Sequence, residues 1–201
     1  MKISDFKKKA LSLVSTTLVI CLVTCRSLLA QEHHTTDHES SSAHKISLAI
    51  GHAHIHEGIE GGEKKWLIVG SWALNYDYLI NQKWAVGLHN DIILEDFTVE
   101  DRSKEGEEHT ILERERPIAT KLVGSFKPGK HFNLILGAGE EIAKDKNFFL
   151  STFGADYGWH LSGGWEVGLE LSYDIKWKAY DTWILGAGIS KLIPVRHKHK
   201  G

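Results

Sequence analysis

At 201 residues the chain has the length of one domain once an export segment is set aside. A formal net charge of −2 excludes strong electrostatic steering toward nucleic acid. No run of about twenty apolar residues follows the N-terminal region, which excludes a helical membrane span in the mature chain.

Residues 1–30 read as an export signal peptide. Lys2, Lys7, Lys8 and Lys9 form its basic start, and Ala10 to Val23 its apolar stretch, too short for a stable anchor. Ala30 offers a small residue for cleavage before Gln31, although Leu28 at the −3 position fits poorly. Cys21 and Cys25 admit a second reading, a lipoprotein signal, but Ile20 and Thr24 before them are bulkier than such cleavage prefers. On the export-signal reading both cysteines fall inside the signal, so the mature chain has none and no disulfide framework or thiol chemistry is expected. Residues 31–43, rich in His, Ser, Thr and Glu, are predicted to be a disordered linker.

Residues 44–193 then alternate with a period of two, the signature of β-strands whose successive side chains face opposite ways. The first predicted strand runs from His44 to about Glu57. In the second, Trp66, Ile68, Trp72, Leu74, Tyr76 and Tyr78 share an apolar face opposite Val69, Ser71, Ala73, Asn75 and Asp77. Trp84, Val86, Leu88, Ile92 and Leu94 oppose Ala85, Gly87, His89, Asp91 and Glu95 in the third, and the fourth is placed at roughly Arg114 to Phe126. The fifth sets Phe132, Leu134 and Leu136 against Asn133, Gly137 and Glu141, and the sixth sets Phe149, Phe153, Tyr157 and Trp159 against Thr152, Asp156 and His160. The seventh alternates from Trp165 to Lys176, and the eighth spans Tyr180 to Ile193. Tight turns at Asn81–Gln82, Lys127–Lys130 and Ser162–Gly164 alternate with longer loops at Gly58–Lys64, Thr98–Thr110 and Ala143–Asn147, and with a short, charged link at Lys176–Ala179. Pro194 opens a basic tail, 194–201.

Alternation alone fits a soluble barrel as well as a membrane one; what each face carries separates them. The polar faces hold many Gly, Ala and Ser residues, which suits a crowded small lumen. The apolar faces carry Trp84, Phe126, Phe132, Trp159 and Trp165 beside the tight turns, a level belt of the kind that marks a membrane interface. The predicted fold is therefore all-β: an eight-stranded antiparallel up-and-down transmembrane β-barrel. In these features residues 44–193 resemble the small eight-stranded outer-membrane barrels, such as the outer-membrane-protein-A transmembrane domain and its compact X-type relatives. The resemblance implies a cell outer-membrane location, contact with outer-membrane lipids and handling by the barrel assembly machinery. The chain departs from such barrels in ending on a basic tail rather than an aromatic residue.

Three groups of residues are candidates for function. His52, His54 and His56 share the outer face of the first strand, where imidazoles suit a divalent metal such as Zn²⁺, Cu²⁺ or Ni²⁺. Their spacing of about 7 Å favours an interfacial band of half-polar rings over a closed metal site, so no cofactor is expected beyond that cation. His89, Asp91, Glu95, Lys121, Glu141, Asp156, Glu170 and Asp174 are predicted to fill the lumen as a salt-bridged plug around Lys121, with Asp77, Glu115, His160 and Glu166 also inward beside Lys45 and Lys176. The acidic loop from Glu95 to Glu115, with little apolar anchoring, is expected to be a solvated surface or the site of an extracellular partner.

No nucleotide, protease or hydrolase motif is present. The first expectation is a non-enzymatic barrel serving envelope structure, adhesion or surface interaction. The alternatives are an outer-membrane lipid-modifying enzyme, for which Ser151 is the clearest outward-facing serine of a central strand, and a metal- or small-ligand-binding barrel.

Overall fold

A computed structural model describes residues 42–100 and 111–195. The export signal, nearly all of the linker, the tip of the acidic loop at 101–110 and the tail beyond 195 lie outside the described residues. Among the described residues there are ten strands: β1 (Ala43–Glu60), β2 (Glu63–Leu79), β3 (Trp84–Ile93), β4 (Phe97–Glu100), β5 (Ile111–Arg114), β6 (Ile118–Phe126), β7 (Phe132–Ile142), β8 (Phe148–His160), β9 (Trp165–Lys176) and β10 (Asp181–Pro194). The eight long ones pair antiparallel in the order β1, β2, β3, β6, β7, β8, β9, β10. β10 returns to β1 from Ala43↔Pro194 to Ile55↔Thr182, which closes the barrel and leaves it without a free edge over that length.

The period-two pattern reaches the structure with its polarity inverted relative to a soluble barrel. Leu122 on β6 is 70% exposed while its neighbour Lys121 is 3% exposed. The same holds along β2, where Trp72, Leu74 and Tyr76 face out and Ser71, Asn75 and Asp77 are buried. A surface of this kind is stable only against lipid, so the wall is that of a membrane-spanning barrel.

The tight turns are made by local chemistry. Asn81 Oδ1 accepts hydrogen bonds from the backbone N–H groups of Lys83 (2.8 Å) and Trp84 (3.0 Å), fixing the β2–β3 turn. On the opposite side the expected loop at Gly58–Lys64 is instead a hairpin. Gly61 and Gly62 take φ of 62° and 83°, open to glycine without strain, and let β1 and β2 run on as 18- and 17-residue strands. At Gly87 the constraint is space: an added Cβ would overlap the Asp77 carboxylate and come within 2.7 Å of the Tyr76 carbonyl oxygen.

The acidic loop departs most from expectation. The fourth predicted strand is two strands, because Pro117 and the left-handed Arg116 (φ 36°) interrupt it. β4 and β5 pair as a short hairpin that leaves the wall, crosses the mouth and meets β1 at Gly58↔Val99, on the edge that β10 vacates above Thr182. The segment is anchored, contrary to expectation: Phe97 and Val99 are buried with Ile55, Phe148, Tyr180 and Ile184 in an apolar core that roofs the lumen. Each buried side chain of that size contributes roughly 1.5–3 kcal/mol.

Because Leu122 faces lipid near the middle of β6, Leu122→Lys is expected to destabilise the barrel in vesicles by about 2–4 kcal/mol, as read by denaturant unfolding; a soluble barrel would tolerate the change.

Candidate functional site: a filled lumen beneath a roofed mouth

The inward side chains form three tiers. At the floor, beside the tight turns, Lys45 Nζ lies 2.6 Å from Glu166 Oε1, and His160 Nε2 lies 3.0 Å from Glu166 Oε2. His89 Nε2 meets Asp77 Oδ1 at 3.0 Å, and Asn133 Nδ2 donates to Asp156 Oδ2 at 3.2 Å. In the β6–β7 turn, partial burial and the neighbouring Lys45 charge pull the Lys127 ammonium below the ordinary lysine range.

The middle tier is built on Lys121. Its ammonium bonds Asp91 from the adjoining strand β3 and both oxygens of Asp174 on β9, each at 3.3 Å, so one cation ties opposite walls together. All three side chains are buried. Asp156 and Glu170 line both a cavity of about 40 Å³ beside the floor residues Lys45 and Glu166 and one of about 20 Å³ beside Lys121. These have room for roughly one to a few waters each and neither is a channel.

The upper tier converges on Glu141, which is almost wholly enclosed. Arg114 Nη2 lies 2.5 Å from its Oε1, the Tyr180 hydroxyl donates to the same oxygen, and Lys176 Nζ lies 3.3 Å from Oε2. Lys176 also bonds Thr182 Oγ1 at 2.7 Å and stands over the Tyr180 ring at 4.6 Å. Arg114 donates to the Lys146 carbonyl and lies 4.8 Å from the centre of the Phe148 ring. Since Arg114 ends β5, this tier pins the roof hairpin to β7 and, through Glu141, to Lys176 at the end of β9 and Tyr180 in the β9–β10 link.

Of the residues predicted for the lumen, His89, Asp91, Lys121, Glu141, Asp156, Glu170 and Asp174 lie within it. Glu95 does not. β3 ends at Ile93, the inward–outward alternation lapses, and the exposed Glu95 instead accepts a hydrogen bond from Gly70 N–H at 3.1 Å. Glu115 is displaced for the same reason on the other strand and pairs with Lys144 at 2.6 Å. Arg114 and Tyr180 were not singled out by sequence; the Pro at 117 inside a supposed strand was the available sign that the parity of Arg114 should be reset.

The turn-side aromatics pack in separate groups. Trp84 packs on Phe126 at 4.8 Å, Phe132 on Tyr157 at 5.4 Å, and Tyr157 on Trp159 at 4.9 Å, while Lys191 sits 4.8 Å over Trp165. A second set stands toward the mouth: Phe149 with Trp177, Tyr173 with Trp183, and Trp66 edge-on to His56 at 4.7 Å. His52, His54 and His56 occupy one outward column of β1, above the apolar Ile46, Leu48 and Ile50. His56 Nδ1 lies 3.8 Å from Glu57 Oε1. Among the described residues no three or more His, Cys, Asp or Glu side chains converge on a metal-sized site. Ser151 accepts a hydrogen bond from Trp177 Nε1 at 3.1 Å, and its cross-strand neighbours are Ala138 and Ile175.

No family model matches the chain, and no curated protein sequence matches it. Solved structures similar to it include Ail, the attachment invasion locus protein of Yersinia pestis, in complex with the heparin analogue sucrose octasulfate, at 16% identity and a TM-score of 0.46, covering 76% of this chain and 99% of that one. Neisserial surface protein A is 11% identical with a TM-score of 0.48, over 74% of this chain and 97% of its own. The outer membrane protein OprG of Pseudomonas aeruginosa is 10% identical with a TM-score of 0.48, over 79% and 98%.

Lys121→Ala leaves Asp91 and Asp174 buried without their cation, and is expected to cost about 3–5 kcal/mol of unfolding stability in vesicles. The triple change Lys121→Met, Asp91→Asn, Asp174→Asn removes the charges together and is expected to recover most of that loss.

Proposed function

We propose that this chain is a non-enzymatic outer-membrane β-barrel that acts through its mouth end, in adhesion or another surface interaction, with the wall as its anchor. The observation that carries this reading is the closure of the lumen: three tiers of paired charges from floor to mouth, then an apolar roof. A general diffusion pore needs an open aqueous path, and no such path fits around Lys121. The inverted polarity of the wall and the N-terminal signal pattern support insertion in the outer membrane, by way of the assembly machinery and among its lipids.

A lipid-modifying enzyme would need a serine, a histidine and an acid together on the lipid-facing rim. Ser151, the outward serine, has Ala138 and Ile175 beside it and is held by Trp177, and among the described residues no base is bonded to it. The outward histidine column is read as the interfacial edge of the lipid belt, where half-polar rings sit comfortably.

The reading predicts heat-modifiable migration in SDS gels after recovery from the outer-membrane fraction. It also predicts no sugar uptake in liposome-swelling assays, including for Phe97→Ala with Val99→Ala, since loosening the roof leaves the tiers below in place. Uptake by either protein, or a change in the mass spectrum of lipid A on expression, overturns it.

A further inference from the structure

The wall has a notch. β2 continues upward to Glu63, but its neighbour β3 makes a last pair at Ser71↔Ile93. Immediately above, Leu94 N–H still donates to the Gly70 carbonyl at 3.0 Å, and Gly70 N–H donates to Glu95 Oε1 at 3.1 Å. A side-chain carboxylate there stands where a strand carbonyl would. Backbone groups alternate edges with a period of two, so the N–H and C=O of Ile68 and Trp66 point the same way as those of Gly70. Among the described residues no strand pairs with them on that side.

Between this edge and the roof hairpin lies a groove of about 380 Å³. Leu67 and Ile59 contribute its partly exposed apolar surface, and Val69 and Phe97 line it as buried members of the roof core. Glu60, Glu95, Asp96 and Glu113 line it as well, and among the described residues no Lys or Arg does. Lys65 and Arg116 approach Glu60 and Asp96 from outside, at 3.5 and 3.8 Å, with the exposed geometry of weak pairs.

We propose that this notch is a docking edge for an extended basic peptide segment of a partner protein, seated as an added strand on β2. The proposal rests on the reading that the chain works through its mouth end. Its backbone would bond the free groups of Ile68 and Trp66, alternate apolar side chains would cover the partly exposed Leu67, and its basic side chains would meet the four carboxylates. The chemistry selects against other occupants. An acyl chain offers nothing to an unpaired strand edge, and a phosphate headgroup or an acidic peptide is repelled by the carboxylates.

The test uses the full chain in micelles of a neutral detergent and three synthetic octapeptides: alternating Lys and Val, the same peptide N-methylated at alternate residues, and alternating Glu and Val. Binding is expected for the first, at least about tenfold weaker binding for the N-methylated form, and none for the third. Glu60→Gln with Glu113→Gln is expected to weaken the Lys–Val peptide severalfold while heat-modifiable migration shows the variant folded. A benzophenone attached through Ile68→Cys is expected to cross-link to the bound peptide. Absence of binding, equal binding of the N-methylated form, or a cross-link in the peptide's presence to residues 101–110 or to a second copy overturns the proposal. If those failures occur while the chain still fractionates with the outer membrane and its lumen stays closed, only the notch is lost; a soluble chain removes both readings.

Discussion

Lys121 is the fixed point of this barrel. A lone ammonium in an enclosed lumen is strongly disfavoured, and here it is made tolerable by Asp91 from the adjoining wall and Asp174 from across the lumen. That requirement sets the rest: strands with small residues where the charged side chains must fit, such as Gly87 under Asp77, and a register that brings β3, β6 and β9 to one level. The tiers above and below repeat the solution with Glu141 and Glu166 as their centres. Breaking one partner of such a set is costly, whereas the intact set adds little net stability beyond what an apolar filling would give. Its consequence is shape: the lumen is closed, and activity is pushed to the ends.

The filling of the barrel changes along its length. Against lipid the wall is apolar outside and polar inside. Toward the mouth the interior turns apolar, with Ile55, Val69, Phe97 and Val99 buried inside. Outside, the column of β1 changes there from Ile50 to His52, His54 and His56, while that of β2 stays apolar at Ile68 and Trp66. The apolar interior at this end holds a hairpin across the mouth.

The roof and the notch have a common origin. β3 and β6 stop early, and the chain between them folds inward as β4 and β5 instead of extending the wall. The inward fold buries Phe97 and Val99 and brings Arg114 to Glu141. The same departure strips β2 of its neighbour above Ser71. A single interruption, marked by Arg116 and Pro117, thus roofs the lumen and opens an edge on the outside.

Period-two alternation with aromatics beside the tight turns was enough, by itself, to determine the eight-stranded wall, because a strand's two faces are dictated by neighbouring residues. The same parity placed Asp91, Lys121, Glu141 and Asp174 inside. Parity carries only as far as the strand does. Once β3 ended at Ile93, Glu95 fell outside and Arg114 inside, and no local pattern announces a hairpin whose partners, Gly58 and Glu141, lie far away in the chain. Which inward charge meets which, where the interior turns apolar along the axis, and that the acidic loop is a roof with a notch beside it were decided by closure of the barrel. Closure brings together strands that sequence order keeps apart, and only then does burial determine which groups must find a partner.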